Sequence, residues 1–222
     1  MKIDFVSDVV CPWCAVGLAS LELALQRLGD ATPVTLSVHP FELNPQMGPA
    51  GEDIVEHLSR KYRISAEQIA QGREGLSARG AAVGFTFGPR SRIWNTFDAH
   101  RLLHWAGLEG RQVALKRALL QAYHGRGENV ADTAVLIAAA QAAGLDAEQA
   151  SEVLARGAYA DEVRAAERHW QDAGISSVPA VILNDRYLIG GGQPPEVFEQ
   201  ALRQVLEEEH GDSAGSGAPT TP

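Results

Sequence analysis

Cys11-Pro12-Trp13-Cys14 is the stretch that most restricts what this chain can fold into, because it holds the only two cysteines among 222 residues. It follows an apolar run from Ile3 to Val10 and opens an apolar-periodic segment that begins at Ala15. A C-x-x-C between a strand and a helix places two thiols on the helix's first turn, the placement that dithiol chemistry uses. The thiolate is the attacking species, and a free cysteine, with a pKa near ~8.5, is only slightly ionised at neutral pH. At the first turn, unpaired backbone N–H groups and the positive end of the helix dipole favour the anion, which makes Cys11 the nucleophile. Cys14 faces the same side, at a Cα separation of roughly 5–6 Å that a disulfide tolerates, so it can resolve a mixed disulfide. Pro12 is tolerated where first-turn N–H groups lack partners, and it fixes φ between the sulfurs. Trp13 reads as an exposed platform for substrate, since a buried indole N–H would need a partner.

Two other readings of the pair stand beside this one. A C-x-x-C is half of a zinc site, but the chain has no second cysteine pair, and among its histidines only His100 and His104 share a helix face. We therefore expect no metal, with the histidines at helix surfaces or interfaces. The other reading is a pair of inert buried thiols.

The start of the chain enters a strand directly, without a signal-peptide pattern, and no apolar run approaches the ~18 residues of a membrane span, so a cytoplasmic protein without membrane contact is expected. The formal net charge of −9 argues against nucleic acid as a partner. Cytoplasmic thiols are held reduced, which favours a redox-cycling pair over a structural disulfide.

Residues 2–7 read as a strand, about 11–28 as a helix stopped by Gly29, and Val34–Val38 as a second strand ending at His39-Pro40, a right-handed crossover between parallel neighbours. From Gly51 to about Gly174 only helices are expected. Apolar stripes run through Ile54, Leu58 and Tyr62, through Ala99, Leu102, Leu103 and Ala106, through Leu115, Ala118, Leu119 and Ala122, and through Leu136, Ala139, Ala140 and Ala143. Asp132 and Asp146 are N-cap candidates, the latter with Gln149 three residues on, and Gly144 is a stop. Between Gln71 and Gly88 the glycines leave helix boundaries open. Val178–Leu183 and Arg186–Ile189 read as a hairpin with a two-residue turn at Asn184-Asp185, before a final amphipathic helix from Pro194-Pro195.

Pro179 belongs at a strand start or edge. It is either an ordinary trans proline there or part of a cis Val178–Pro179 bond that lets Val178 offer its N–H and C=O to an extended substrate. Asp8 is a candidate to move the proton of Cys14, against a loop or cap aspartate. His39 is a candidate to line the groove or to favour the Cys11 anion when protonated, against a strand-end surface histidine.

Ser7–Cys14, Pro40-Phe41-Glu42-Leu43-Asn44-Pro45, His100-Arg101-Leu102, Val178-Pro179 and Gly192-Gln193-Pro194 together resemble the DsbA-like thiol oxidoreductases, and more narrowly their cytoplasmic FrnE-like subgroup. The resemblance runs from Lys2 to about Glu207. It implies an α/β, thioredoxin-like fold with a large all-helical insertion between an N-terminal βαβ unit and a C-terminal ββα unit. Residues 1–48 and 175–210 would form the thioredoxin-like domain, 49–174 the helical lobe and 211–222 a disordered tail. It also implies Cys11 as attacking thiol, Cys14 as resolving thiol, Pro179 as a cis proline facing them, and dithiol–disulfide oxidoreductase or isomerase activity. Ala15 and Gly191 depart from the family pattern, which has an aromatic and an alanine-like residue there.

The expected partners are thiol- or disulfide-containing proteins or small molecules, with a homodimer compatible. No cofactor is expected beyond the Cys11–Cys14 disulfide itself, with glutathione a candidate reductant. The alternatives are a glutathione-dependent isomerase or transferase of the kappa type, whose relatives generally keep a serine for the first thiol, and a chaperone-like peptide binder that uses the groove without the sulfurs.

Overall fold

A computed structural model describes residues 1–29 and 33–215. Strand β1 (Lys2–Ser7), helix α1 (Pro12–Leu28) and strand β2 (Thr35–Pro40) form the first unit. Near the other end of the chain lie β5 (Ala180–Leu183), β6 (Tyr187–Gly190) and α9 (Pro195–Gly215). The four strands make one sheet in the order β2-β1-β5-β6, with β1 parallel to β2 and antiparallel to β5. On one face, Ile3 and Phe5 pack with Leu18 and Leu21 of α1 and Phe198 and Leu202 of α9. On the other, Val6, Ala180 and Ile182 meet Trp170 of α8 (Ala160–Asp172). Burial on both faces explains the nearly continuous apolar run of β1.

Between these units run α2 (Ile54–Tyr62), α3 (Ala66–Ala82), α4 (Phe97–Leu108), α5 (Gln112–Leu120), a π-helical turn (Gln121–Gly125), α6 (Thr133–Ala142), α7 (Ala147–Ala155) and α8. They share a second core, with Leu102, Leu103, Leu115, Leu119 and Leu136 at its centre. Asp132 caps α6 through the Ala134 and Val135 N–H groups, and Asp146 caps α7 through that of Gln149, as their spacing suggests. Helix α5 separates the two cores: Leu115 and Leu119 face the helical one, while Leu120 faces the sheet. The Gln112 side chain covers the edge of β2 by accepting the Val38 N–H at 2.8 Å.

Several expectations need correction. The helical stretch contains a two-stranded ribbon, β3 (Glu52–Asp53) against β4 (Arg92–Ile93), too short to show a period of two. Tyr62 is 53% exposed and leaves the stripe begun by Ile54. The hairpin pairs Leu183 with Tyr187, so its loop has three residues, with Asn184 and Asp185 both at positive φ and Arg186 N–H donating to Leu183 O at 3.0 Å. Helix α9 continues through Gly215, into the segment read as a tail, and 216–222 lie outside the described residues.

The open stretch after Gln71 is helical too, because α3 begins in a full capping box, Ser65 with Gln68. One of its glycines is required by packing. A Cβ on Gly80 would stand 2.6 Å from both the Phe85 carbonyl oxygen and Phe87 Cε2, whereas one on Gly72 would meet nothing within 4 Å. Helix propensity alone favours alanine at both positions by about 0.5–1 kcal/mol. We predict that Gly72→Ala raises the urea midpoint and Gly80→Ala lowers it, by about 1–3 kcal/mol of overpacking. Stabilisation by Gly80→Ala would show the approach to be soft.

Candidate active site

Cys11 is the N-cap of α1, with extended backbone at φ −81° and ψ 112°, and Pro12 begins the helix. The Cys14 N–H donates to Cys11 Sγ at 3.3 Å. The sequence thus turns sharply from strand to helix and gives one sulfur an otherwise orphaned helix N–H. Both thiols are free and buried. Cys11 Sγ lies 3.6 Å from the Val178 carbonyl oxygen, and the Val178–Pro179 peptide is cis. Pro179 seats directly on α1 because residue 17 is glycine, where a Cβ would be 3.0 Å from Pro179 Cγ.

Trp13, 42% exposed, forms the rim. Arg79 of α3 stands 5.8 Å from its ring centroid and donates to the Gly192 carbonyl at 2.8 Å. Gly191, where an alanine-like residue is usual in the resembling family, has φ 80°, a conformation that disfavours a Cβ. Ala15 lines a cleft of about 300 Å³ with Leu18, Phe85 and Leu120.

Beneath the sulfurs lies a group of buried charges. Asp8 is fully buried; it accepts the Leu43 N–H at 2.7 Å through Oδ2, and its Oδ1 is 3.3 Å from His100 Nε2. Burial pushes its carboxyl up, but the His100 contact, the Leu43 N–H and the Lys116 charge outweigh this and hold it below the ordinary 3.8. Lys116 of α5 is also fully buried, and its Nζ has no hydrogen-bond partner among the described residues. Burial lowers its affinity for the proton, while the negative charges of Cys14, Asp8 and Cys11 oppose that. Burial also lifts the Cys14 thiol well above the ordinary 9.0, with the Cys11 sulfur adding to this and the Lys116 ammonium working against it. The Cys14 thiol therefore has an ammonium without a hydrogen-bonded partner within electrostatic reach.

Asp8 thus lies in the turn between β1 and α1 but is fully buried, with its carboxylate held by Leu43 N–H and His100 instead of standing exposed in a loop or cap. His39 is not brought to the sulfurs: its Nε2 is 2.7 Å from Asp4 Oδ1 and its ring lies 4.8 Å from that of Trp170, on the α8 side of the sheet. Burial outweighs Asp4 and lowers its affinity for a proton. His100 is 2% exposed, not at a surface, and its neighbour Arg101 donates to the carbonyls of Val153, Leu154 and Ala158. His104 instead stacks on Tyr159. No group of three or more potential metal ligands occurs among the described residues. Lys116 escaped sequence reading because it sits within an apolar helix. The available signal was that Lys116, Leu120 and His124 follow at i, i+4 and i+8, a second inward stripe beside Leu115 and Leu119.

His124, on the π-helical turn, donates to the Val9 carbonyl through Nε2 at 2.9 Å, and its Nδ1 has no partner among the described residues. Burial holds it neutral, well below the ordinary 6.5. A histidine held neutral contributes its full stability above 6.5 and loses it as pH falls below, because the unfolded chain then takes up a proton that the folded chain refuses. His39 acts in the same direction. Urea unfolding of the wild type should weaken between pH 7 and 5, and His124→Gln should flatten that slope by up to about 1.4 kcal/mol per pH unit. An unchanged slope would remove this role from His124.

The profile of the family described as DSBA-like thioredoxin domain matches residues 2–203. The crystal structure of a probable DsbA oxidoreductase from Streptomyces coelicolor is similar over 100% of this chain and 93% of its own, with TM-score 0.85 and 38% identity. A 2-hydroxychromene-2-carboxylate isomerase is similar over 95% of this chain and 98% of its own, with TM-score 0.74 and 15% identity. The cytosolic disulfide reductase DsbM from Pseudomonas aeruginosa, solved with GSH, covers 93% of this chain and 100% of its own, with TM-score 0.65 and 18% identity. The last two likenesses are of fold alone. No helix among the described residues is long and apolar enough to cross a membrane.

Proposed function

The chain belongs to the DSBA-like thioredoxin domain family, and from that premise we propose that it exchanges electrons between its Cys11–Cys14 pair and the disulfides of protein or small-molecule substrates. The observation that carries this reading is the N-cap dithiol, with Cys11 Sγ hydrogen-bonded to the Cys14 N–H and facing the Val178 carbonyl. In our reading the Cys11 thiolate attacks one sulfur of a substrate disulfide, forming a mixed disulfide and releasing the other sulfur as thiolate. Cys14 then loses its proton and attacks Cys11, which closes the protein disulfide and releases the second substrate thiolate. Two electrons pass to the substrate; the reverse sequence oxidises it. Asp8, with its carboxyl held below the ordinary 3.8, is too weak a base to take the Cys14 proton and acts through its charge, while Lys116 stabilises the Cys14 anion left when that proton goes to solvent. Val178 presents its backbone to an extended substrate, with Pro12 and Trp13 lining the opposite side.

The domain division into 1–48 with 175–210 and the inserted 49–174 belongs to the same proposal, as do a cytoplasmic setting, a FrnE-like subgroup and glutathione as reductant. The cytosolic description of DsbM is consistent with that setting. The second reading, a glutathione-dependent isomerase, is favoured by the fold likeness to the chromene-carboxylate isomerase, but such chemistry does not need a second thiol. Reduction of insulin-type disulfides, followed as turbidity, tests the proposal. Exchange that survives Cys11→Ser, or none by the wild type, overturns it, and isomerase turnover undiminished in Cys14→Ser would favour the second reading.

A further inference from the structure

Arg73 of α3 and Arg90 line a cavity of about 180 Å³ together with Leu76, Ser77, Phe87 and Pro89. Arg90 is gripped by rings and not by an acid: its guanidinium carbon stands 5.3 Å from the Tyr123 centroid and 5.9 Å from that of Phe87. Arg73 Nη2 is buried with no hydrogen-bond partner among the described residues. Among the described residues no carboxylate pairs with either arginine there, and the Arg73 charge lies close enough to disfavour that of Arg90. Two cations brought together without a counter-ion leave a place for an anion.

The cavity is tied to the dithiol. The Gly88 N–H donates to the His124 carbonyl at 2.8 Å, and the His124 ring contacts the Val9 carbonyl, two residues before Cys11. The Arg90 charge is also within electrostatic reach of Cys11. Aromatic contacts hold the guanidinium of Arg90 in place, so that binding an anion need not order it.

We propose that Arg73 and Arg90 form a carboxylate subsite beside Cys11, which selects small disulfides bearing a free carboxylate near the sulfur. This rests on the dithiol exchange proposed above and adds the substrate class. The reduced protein attacks such a disulfide through Cys11 while the substrate's carboxylate sits between the guanidinium groups. Cys14 then displaces the bound half, so the protein becomes oxidised as two carboxylate-bearing thiolates leave. A chain with a formal net charge of −9 would otherwise repel these anions, so a local preference for them runs against the overall field.

The test compares 3,3′-dithiodipropionate, hydroxyethyl disulfide and cystamine, which carry carboxylate, hydroxyl and ammonium on the same two-carbon arm. Each rate of oxidation of the reduced protein is normalised to that of free 2-mercaptoethanol with the same disulfide. We expect the dicarboxylate to react fastest, with a rate that falls as salt rises. Arg73→Gln and Arg90→Gln should each cut the dicarboxylate-to-hydroxyethyl ratio by about ten- to a hundredfold, the range for losing a charge-assisted hydrogen bond, and Arg90→Lys should restore part of it. A wild-type order with cystamine first, or Arg73→Gln lowering both rates in proportion, overturns the subsite and leaves the dithiol reading intact. Failure of the wild type with all three disulfides overturns the dithiol reading itself.

Discussion

Serine in place of Cys11 brings disulfide exchange down by about three orders of magnitude or more, to the uncatalysed background, the scale expected on removing a covalent nucleophile. The prediction is asymmetric, because the two sulfurs occupy different environments. Cys11 caps the helix and faces the Val178 carbonyl, whereas Cys14 is fully buried and its thiol is held protonated by that burial. Cys14→Ser should therefore still attack a disulfide but fail to resolve it, so that a mixed disulfide at Cys11 accumulates and is visible as a mass adduct. Cys11→Ser should give no adduct under the same conditions. Adducts of equal yield in both variants would mean that the roles of the two thiols are not divided in this way.

Asp8→Asn should lower the unfolding free energy at pH 7 by about 3–5 kcal/mol, because it removes the carboxylate from a buried site and leaves the Lys116 ammonium without it. That is a large share of the roughly 5–15 kcal/mol that holds a domain folded. The pH dependence gives an independent check. Folding holds the Asp8 carboxyl below its ordinary 3.8, so its contribution is present above that value and lost as pH falls through the folded pKa. The acid limb of the wild-type stability curve should be shallower in Asp8→Asn. If the two charges act on each other, Asp8→Asn with Lys116→Met should recover part of the loss, and the non-additivity measures their coupling. A loss under about 1 kcal/mol from Asp8→Asn alone would mean the charges are better hydrated than their burial indicates.

What was legible in the sequence was carried by local signals. The strand before Cys11, the helix after it, the Asp132 and Asp146 caps and the late hairpin each depend on residues a few positions apart. The motif stretches also prove to be neighbours in space: Leu43 and His100 both reach Asp8, and Gly192 backs Trp13. The remainder depends on contacts between distant segments. His39 ends the second strand as expected, but the strand's register turns it toward Asp4 and Trp170 and away from the sulfurs. Lys116 differs from an exposed lysine only in its burial near Asp8 and the two cysteines, residues about a hundred positions away in sequence. The ribbon of Glu52–Asp53 with Arg92–Ile93 has too few residues for any periodic pattern.

The central pairing of the sheet sets an order of events during synthesis. Strand β1 lies beside β5, with Ile3 opposite Leu183, so its neighbour arrives only after the whole helical stretch has been made. Closing so long a loop is entropically costly and makes such pairings late in folding. The dithiol emerges from the ribosome early, while Val178 and Pro179, which stand over it, emerge near the end. Throughout that interval the nascent chain carries a pair of thiols that the cis-proline segment does not yet cover.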